Sequence, residues 1–184
     1  MGDRDAILAL LPEGQGETLT RSCQDARTIP AIDLWDAFVH MLEFHRGEIG
    51  DSETLAYFKD KSLFDPDVPA GAKSFLGQCH NDPWQAAAGV TFGGVPIAET
   101  GSLLLATGPQ KPRLTSLAPP VHIALVDPNR TVASLEQALN LLEPRTSVLI
   151  TGPSRTADVE GVIVMGVHGP RRLIVVPWTE EIPA

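Results

Sequence analysis

The chain has 184 residues, 43% of them hydrophobic, and its 23 acidic and 14 basic side chains give a formal net charge of −9. This length is sufficient for one domain with its own hydrophobic core. The longest basic run is the pair Arg171-Arg172, so the basic patch that a nucleic-acid backbone requires is missing and nucleic acid is excluded as an expected partner.

The two cysteines, Cys23 and Cys79, do not form a C-x-x-C pair and have no metal-type spacing. We therefore expect neither a disulfide scaffold nor a metal or iron–sulfur centre held by this chain alone, and no bound cofactor. Residues 1–11 include acidic side chains and lack the long apolar run of a signal peptide. No apolar segment approaches the roughly 20 residues that span a bilayer. These features predict a cytoplasmic protein without a membrane span.

The N-terminal part, residues 1–69, is predicted to be small and helical. Apolar side chains recur at helical spacing between Trp35 and Leu42, and Asp33 is suited to the N-cap of that helix. A second, shorter helix is expected over residues 52–61. One compact domain overall is compatible with this division.

Residues 70–184 have the pattern of an α/β core. The apolar run at 96–107 predicts a strand that is buried on both faces. Two further strands are expected at 122–126 and 148–150, separated by a helix that Ser134 would cap. Strand, helix and strand in this spacing are typical of a βαβ unit, so we predict an α/β fold with a mostly parallel sheet flanked by helices.

The segment Ser147–Pro170 contains the first group of candidate site residues. Its strand ends in a polar turn, and the carboxyl ends of strands are where open α/β sheets bind their ligands. Residues 156–160 are typical of a helix start, which accounts for their polar character. Ser154 and Arg155 are not accounted for in this way, and the guanidinium fork of Arg155 matches a carboxylate.

Glu99 interrupts the long apolar run and is expected to be buried within a strand. A buried carboxylate is costly unless it is paired, protonated or at a ligand-facing strand end. One interpretation is a carboxylate that locks the sheet, which is the commoner role. The other is a general base, a nucleophile or a ligand anchor beside Thr100 and Ser102.

Two histidines need the same comparison, because either can titrate near neutral pH. His168 lies in a glycine turn where its ring can face a cleft, and a structural and a functional role are equally compatible with that position. His122 opens an apolar strand, which favours a structural role. The candidate catalytic residues are therefore Glu99 and His168, and the candidate ligand-binding residues are Thr100, Gly101, Ser102, Gly152, Ser154, Arg155 and Gly169.

Several joined motifs resemble the LUD-domain family and, within it, the lactate utilisation protein C type. They are, in order, Val95–Leu105, Ser116–His122, Ile150–Gly161 and Gly166–Leu173. The resemblance implies a fold similar to that of the sugar-phosphate isomerase and CoA-transferase superfamily. It also implies a role in oxidising L-lactate to pyruvate together with partner proteins that carry iron–sulfur clusters, this chain being a subunit without a cluster.

Three functions stay open at this point. The first is the non-redox subunit just described, with a small carboxylate bound near Arg155. The second is a self-sufficient acyl or CoA transferase, because some CoA transferases of the related fold use a strand glutamate as nucleophile and Glu99 invites that comparison. The third is a non-catalytic assembly or regulatory module.

Overall fold

The structure is a computed structural model, and it describes residues 33–109, 111–141, 146–157, 163–166 and 168–179. From residue 33 onwards they fall within one compact unit.

A parallel sheet of five strands forms the centre of the described residues. Its strands are β1 (Glu48–Ile49), β2 (Ser62–Phe64), β3 (Ala88–Phe92), β6 (Val121–Val126) and β10 (Arg172–Pro177). Their spatial order is β1-β10-β6-β3-β2, and each neighbouring pair is parallel. The three inner strands are buried on both faces, which is why their sequences are nearly continuous apolar runs.

A second sheet of three antiparallel strands lies beside the first. It consists of β4 (Val95–Ile97), β5 (Ser102–Ala106) and β7 (Ser147–Ile150), in the order β4-β5-β7. A separate antiparallel pair is formed by β8 (Arg155–Ala157) and β9 (Ile163–Met165). The described helices are α1 (Leu34–Phe44), α2 (Ser52–Tyr57), α3 (Ala70–Leu76), α4 (Arg113–Leu117) and α5 (Leu135–Asn140), with a 3₁₀ turn at Pro128–Arg130.

Apolar side chains cover both faces of the parallel sheet. On one face, Leu55 of α2 and Leu76 of α3 pack against β3, β6 and β10. On the other face, Phe38 and Leu42 of α1 and Leu103 of β5 pack against β6 and β10. The mostly parallel sheet flanked by helices is therefore confirmed.

Two predicted helix starts are confirmed by their capping bonds. The side chain of Asp33 accepts a hydrogen bond from the backbone N–H of Trp35 at 3.0 Å, at the start of α1. The side chain of Ser134 accepts one from the N–H of Gln137 at 3.4 Å, at the start of α5. These bonds satisfy backbone donors that have no partner inside the helix.

The segment from residue 34 to residue 69 is not purely helical, because it contributes β1 and β2, the two edge strands of the parallel sheet. The helix expected over 52–61 is shorter and ends at Tyr57. The proposed division between residues 1–69 and 70–184 itself stays a prediction.

The expected single strand at 96–107 is wrong, and so is the burial of Glu99. The run folds into the hairpin β4-β5, and Glu99 lies exposed in the turn between the two strands. Gly101 closes this turn with φ of 61°, a conformation that glycine adopts without a steric penalty. Glu99 therefore carries no burial cost and needs no buried partner.

The expected βαβ unit from β6 through α5 to β7 is also wrong. β7 pairs antiparallel with β5, in the second sheet, whereas β6 belongs to the parallel sheet. α5 instead packs its Ala138 against Ile97 and Leu104 of the second sheet. The helix start expected over 156–160 is wrong at its beginning, where residues up to Ala157 belong to β8; residues 158–160 lie outside the described part.

Candidate functional site

A cavity of about 420 Å³, called the His122 pocket below, brings several candidate residues together. It lies between α4, β7, the turn after β7 and the loop before β10. The residues that line it are Arg113, Ser116, Leu117, His122, Val148, Leu149, Ile150, Thr151, Gly152, Pro153, Ser154, Arg155, His168, Gly169, Pro170 and Leu173.

The pocket lies at the amino ends of two parallel strands. His122 is at the start of β6 and Leu173 is at the start of β10. The carboxyl end of β7 does border the pocket, as expected for Ser147–Pro170, but β7 belongs to the antiparallel sheet. The site is therefore not the usual ligand crevice at the carboxyl edge of a parallel sheet.

His122 forms the buried floor of the pocket and is 1% exposed. Its Nε2 atom lies 2.9 Å from the Oγ1 atom of Thr91 on β3, and its Nδ1 atom has no hydrogen-bond partner among the described residues. Burial lowers the pKa of the ring from 6.5 to about 4. The imidazole is therefore neutral near pH 7, and its Nδ1 can donate or accept according to the tautomer.

The turn after β7 is fixed against the end of α1. Gly152 has φ of 70°, and a Cβ atom on it would lie 2.3 Å from the carbonyl oxygen of His45. The Nη2 atom of Arg155 donates to the same carbonyl at 3.3 Å. One such bond uses one of the five N–H donors of a guanidinium, so Arg155 keeps the donor capacity to bind an anion at the exposed edge of the pocket.

Backbone hydrogen bonds hold the two glycine turns together. The N–H of Ser154 donates to the carbonyl of Pro170 at 2.8 Å, and the N–H of Gly166 donates to the carbonyl of Ser154 at 3.0 Å. Gly169 packs closely on the side chain of Ser154. Five predicted residues from two segments of the chain thus line one cavity: Gly152, Ser154, Arg155, His168 and Gly169.

The candidates on the β4-β5 hairpin do not line the pocket. Gly101 faces α1, where a Cβ atom would lie 2.4 Å from the backbone N of Leu42. The Oγ atom of Ser102 lies 2.6 Å from Oγ1 of Thr151, so Ser102 is linked to the pocket only through that side chain. Glu99 and Thr100 lie in the turn beyond, and neither is among the lining residues.

Four polar lining residues were not among the sequence candidates: Arg113 and Ser116 of α4, Thr151, and His122, for which a structural role was favoured. The segment Arg113–Leu117 is bounded by prolines and has no amphipathic pattern long enough to predict a helix. Its position depends on Gly89, where a Cβ atom would lie 1.7 Å from the carbonyl oxygen of Thr115. That close approach of two backbones is a tertiary feature with no local signal.

A second polar group lies at the carboxyl ends of β2 and β3. Asp65 is 2% exposed, and burial, together with the charge of Asp67, raises its pKa from 3.8 to about 7; Thr115 and Lys111 act in the opposite direction. The Nζ atom of Lys111 is 2.8 Å from the Asp67 carboxylate and donates to the carbonyl of Phe92 at 2.9 Å. This group is separate from the lining of the His122 pocket.

The described ranges contain no group of three or more His, Cys, Asp or Glu side chains placed to hold a metal ion. They also contain no helix with the length and apolar character to cross a membrane.

The fold and pocket define an α/β protein with a parallel five-stranded sheet and a cavity at the amino ends of two of its strands. The model of the LUD domain family matches residues 49–176, which is more than half of the chain. The chain therefore belongs to the LUD domain family.

Proteins similar to this chain have been named in several bacteria. An uncharacterized protein of Neisseria meningitidis is 41% identical over 85 residues, covering 43% of this chain and 36% of its own length. Lactate utilization protein C is 33% identical over 106 residues in a Geobacillus strain and 36% identical over 95 residues in Bacillus subtilis. These two alignments cover 53% and 47% of this chain but only 44% and 40% of the relatives.

A solved structure supports the fold independently. A DUF162 family protein from Deinococcus radiodurans superposes with a TM-score of 0.59 at 19% identity, over 78% of this chain and 95% of that one. At this identity the likeness bears on the fold alone.

Proposed function

We propose that this chain takes part in L-lactate utilisation and that the His122 pocket binds an anionic ligand for that role. The proposed partners are iron–sulfur proteins that carry the electrons of lactate oxidation, while this chain supplies no cluster. The relatives named lactate utilization protein C support the physiological assignment. A small carboxylate is the simplest ligand of the proposed chemistry.

The observation that carries the proposal is the set of basic side chains at the mouth of the pocket. Arg113, Arg155 and His168 are all exposed and line the same cavity, in a chain whose net charge is −9. A guanidinium fork binds a carboxylate through two parallel hydrogen bonds. These residues come from three separate segments, so their convergence depends on the fold and not on one basic stretch of sequence.

The proposal is tested by growth on L-lactate as sole carbon source, in cells whose only copy of the gene is the variant tested. Arg155→Ala is expected to abolish this growth while leaving the folded protein at its normal level. The matched control is Lys59→Ala, which removes one exposed positive charge outside the pocket. Normal growth of the Arg155→Ala strain on lactate would refute the proposal.

Co-purification from lactate-grown cells distinguishes a subunit of a complex from a protein that acts alone. We expect iron–sulfur proteins to be retained on the tagged chain, with the absorbance of their clusters in the eluate. Recovery of the chain without any such partner would contradict the subunit role. The acyl or CoA transferase alternative stays a prediction; no contact places Glu99 at the pocket.

A further inference from the structure

The volume of the His122 pocket is large for a three-carbon acid. At about 420 Å³ it has room for roughly fourteen water molecules of about 30 Å³ each. Lactate takes up the space of only a few of these, so it would leave most of the cavity to solvent. Pockets of about 300–1,000 Å³ are typical of ligands the size of a drug molecule or a nucleotide.

The floor of the pocket has a polar group that needs a partner. His122 is almost fully buried, Thr91 occupies its Nε2 atom, and its Nδ1 atom has no partner among the described residues. A buried polar atom left without a hydrogen bond costs about 1–3 kcal/mol. Because the Nδ1 atom has almost no accessible surface, a ligand in the cavity contacts the pocket without bonding to this atom.

Part of the pocket lining is apolar. Leu117 of α4 and Leu149 of β7 both line the cavity and are 45% and 46% exposed. Exposed leucines on either side of a cleft suit an apolar or planar group that covers them. Arg113, Arg155 and His168 are exposed and line the same cavity, so basic and apolar side chains surround one opening.

We propose that the His122 pocket binds an anion of mononucleotide size. Its anionic group contacts Arg113 and Arg155, and its planar body lies against Leu117 and Leu149. This inference rests on the proposed function in placing an anionic ligand in the same pocket, and it replaces the small carboxylate with a larger anion.

The experiment measures binding to the purified full-length chain by isothermal titration calorimetry with four probes: adenosine monophosphate, adenosine, inorganic phosphate and L-lactate. Adenosine monophosphate is expected to bind at least about tenfold more tightly than each of the other three, because only it has both an anionic group and a planar body. Equal affinity of inorganic phosphate or L-lactate would overturn the proposal, since the body would then make no contribution.

Variants assign the binding to the pocket. Leu149→Ser is expected to weaken adenosine monophosphate about fivefold and Arg155→Ala about tenfold. Leu139→Ser, an equally exposed leucine on α5, and Lys59→Ala are the matched controls and should bind as the parent does. Because Leu149 is 46% exposed, the Leu149→Ser protein is expected to fold. Unchanged affinity in Leu149→Ser would refute the proposal.

Failure of the proposed ligand class can be distinguished from failure of the proposed function. If Arg155→Ala abolishes growth on lactate but adenosine monophosphate does not bind, the ligand class is wrong and the lactate role stands. If adenosine monophosphate binds with the expected variant pattern while Arg155→Ala grows normally, the ligand class stands and the lactate role is wrong.

Discussion

The Oγ1 atom of Thr91 lies 2.9 Å from the Nε2 atom of His122, and this bond joins neighbouring strands β3 and β6 beneath the pocket. Both side chains are almost completely buried. The bond satisfies one ring nitrogen and fixes the plane of the imidazole, so that the ring contributes to the pocket lining. The charge state of this ring has consequences for stability as well as for binding.

The first prediction concerns the stability of the protein in acid. The folded pKa of His122 is about 4, below its ordinary value of 6.5, because burial disfavours the charged ring. Its contribution to stability is therefore present above pH 6.5 and is lost as the pH falls through 4. A difference of this size corresponds to roughly 3 kcal/mol. Urea unfolding at several pH values should show that the free energy of unfolding falls less between pH 6.5 and 4 in His122→Phe than in the parent. An equal fall in both proteins would contradict the assignment of this acid effect to His122.

Asp65 gives the opposite dependence on pH. Its folded pKa is raised to about 7, first by burial and then by Asp67, so the folded protein holds the proton more tightly than the unfolded chain. The stability that this proton binding contributes is fully present below about pH 4, the pKa of Asp65 in the unfolded chain. It is lost as the pH rises through about 7, the pKa in the folded protein. Asp65→Asn removes the charge and keeps the shape. We expect it to be more stable than the parent at pH 8, by up to roughly 4 kcal/mol, and close to it at pH 4.

Between pH 4 and 6.5 the effects of His122 and Asp65 on stability have opposite signs. A variant that removes one of these groups should therefore reveal the effect of the other. Asp65→Asn should show the acid loss due to His122 without compensation, so its stability should fall more steeply from pH 6.5 to 4 than that of the parent. Glu136→Gln, an exposed carboxylate on α5, is the control and should keep the parent profile. A parental profile in Asp65→Asn would show that Asp65 is not the titrating group.

Sequence patterns predicted a helix or strand correctly where a single local signal determines that element. The apolar spacing of α1 and the N-cap at Asp33 placed that helix, and the short apolar runs placed β6 and β7 to within a residue or two. These features depend on local periodicity and on unsatisfied backbone groups at a helix start. The joined motifs also indicated the family and the general fold.

Strand pairing and strand length were not determined by local patterns. An apolar run shows that a strand is buried but not which neighbour it bonds to, so β7 was placed in the wrong sheet. The turn at Glu99 was hidden because Ala98 and Leu103, on either side of it, are both buried and apolar. The pocket depends on the pairing of β7, because Arg155 follows β7 of the second sheet whereas His122 belongs to the parallel sheet.

Two glycines that were expected to contact a ligand instead allow close packing on α1. Gly101 and Gly152 both have positive φ, and a Cβ atom on either would lie within 2.4 Å of backbone atoms of α1 or His45. Left-handed backbone and overpacking each cost about 1–3 kcal/mol. We therefore expect Gly101→Ala to destabilise the protein by at least about 2 kcal/mol in urea unfolding, with Gly152→Ala similar.

The matched control for these glycines is Gly108, where an added Cβ atom meets nothing within 4 Å and φ is not in the left-handed region. Gly108→Ala should change the unfolding free energy by no more than about 0.5 kcal/mol. If Gly101→Ala were as stable as Gly108→Ala, the close approach to α1 would not be a determinant of packing.

The last prediction concerns the ion pair that joins β1 to β10. The Nε and Nη2 atoms of Arg172 donate to the two carboxylate oxygens of Glu48 at 2.8 and 2.6 Å, and this bonding lowers the pKa of Glu48. Both side chains are about half exposed, so water and salt screen the attraction in spite of the good geometry. Glu48→Gln should therefore cost no more than about 1 kcal/mol at pH 7, and less in 1 M salt. Arg172→Lys, which keeps the charge and loses the fork, should fall between the parent and Glu48→Gln. A loss of several kcal/mol that persists in high salt would mean that the edge strand β1 depends on this pair and not on the apolar contacts of the sheet.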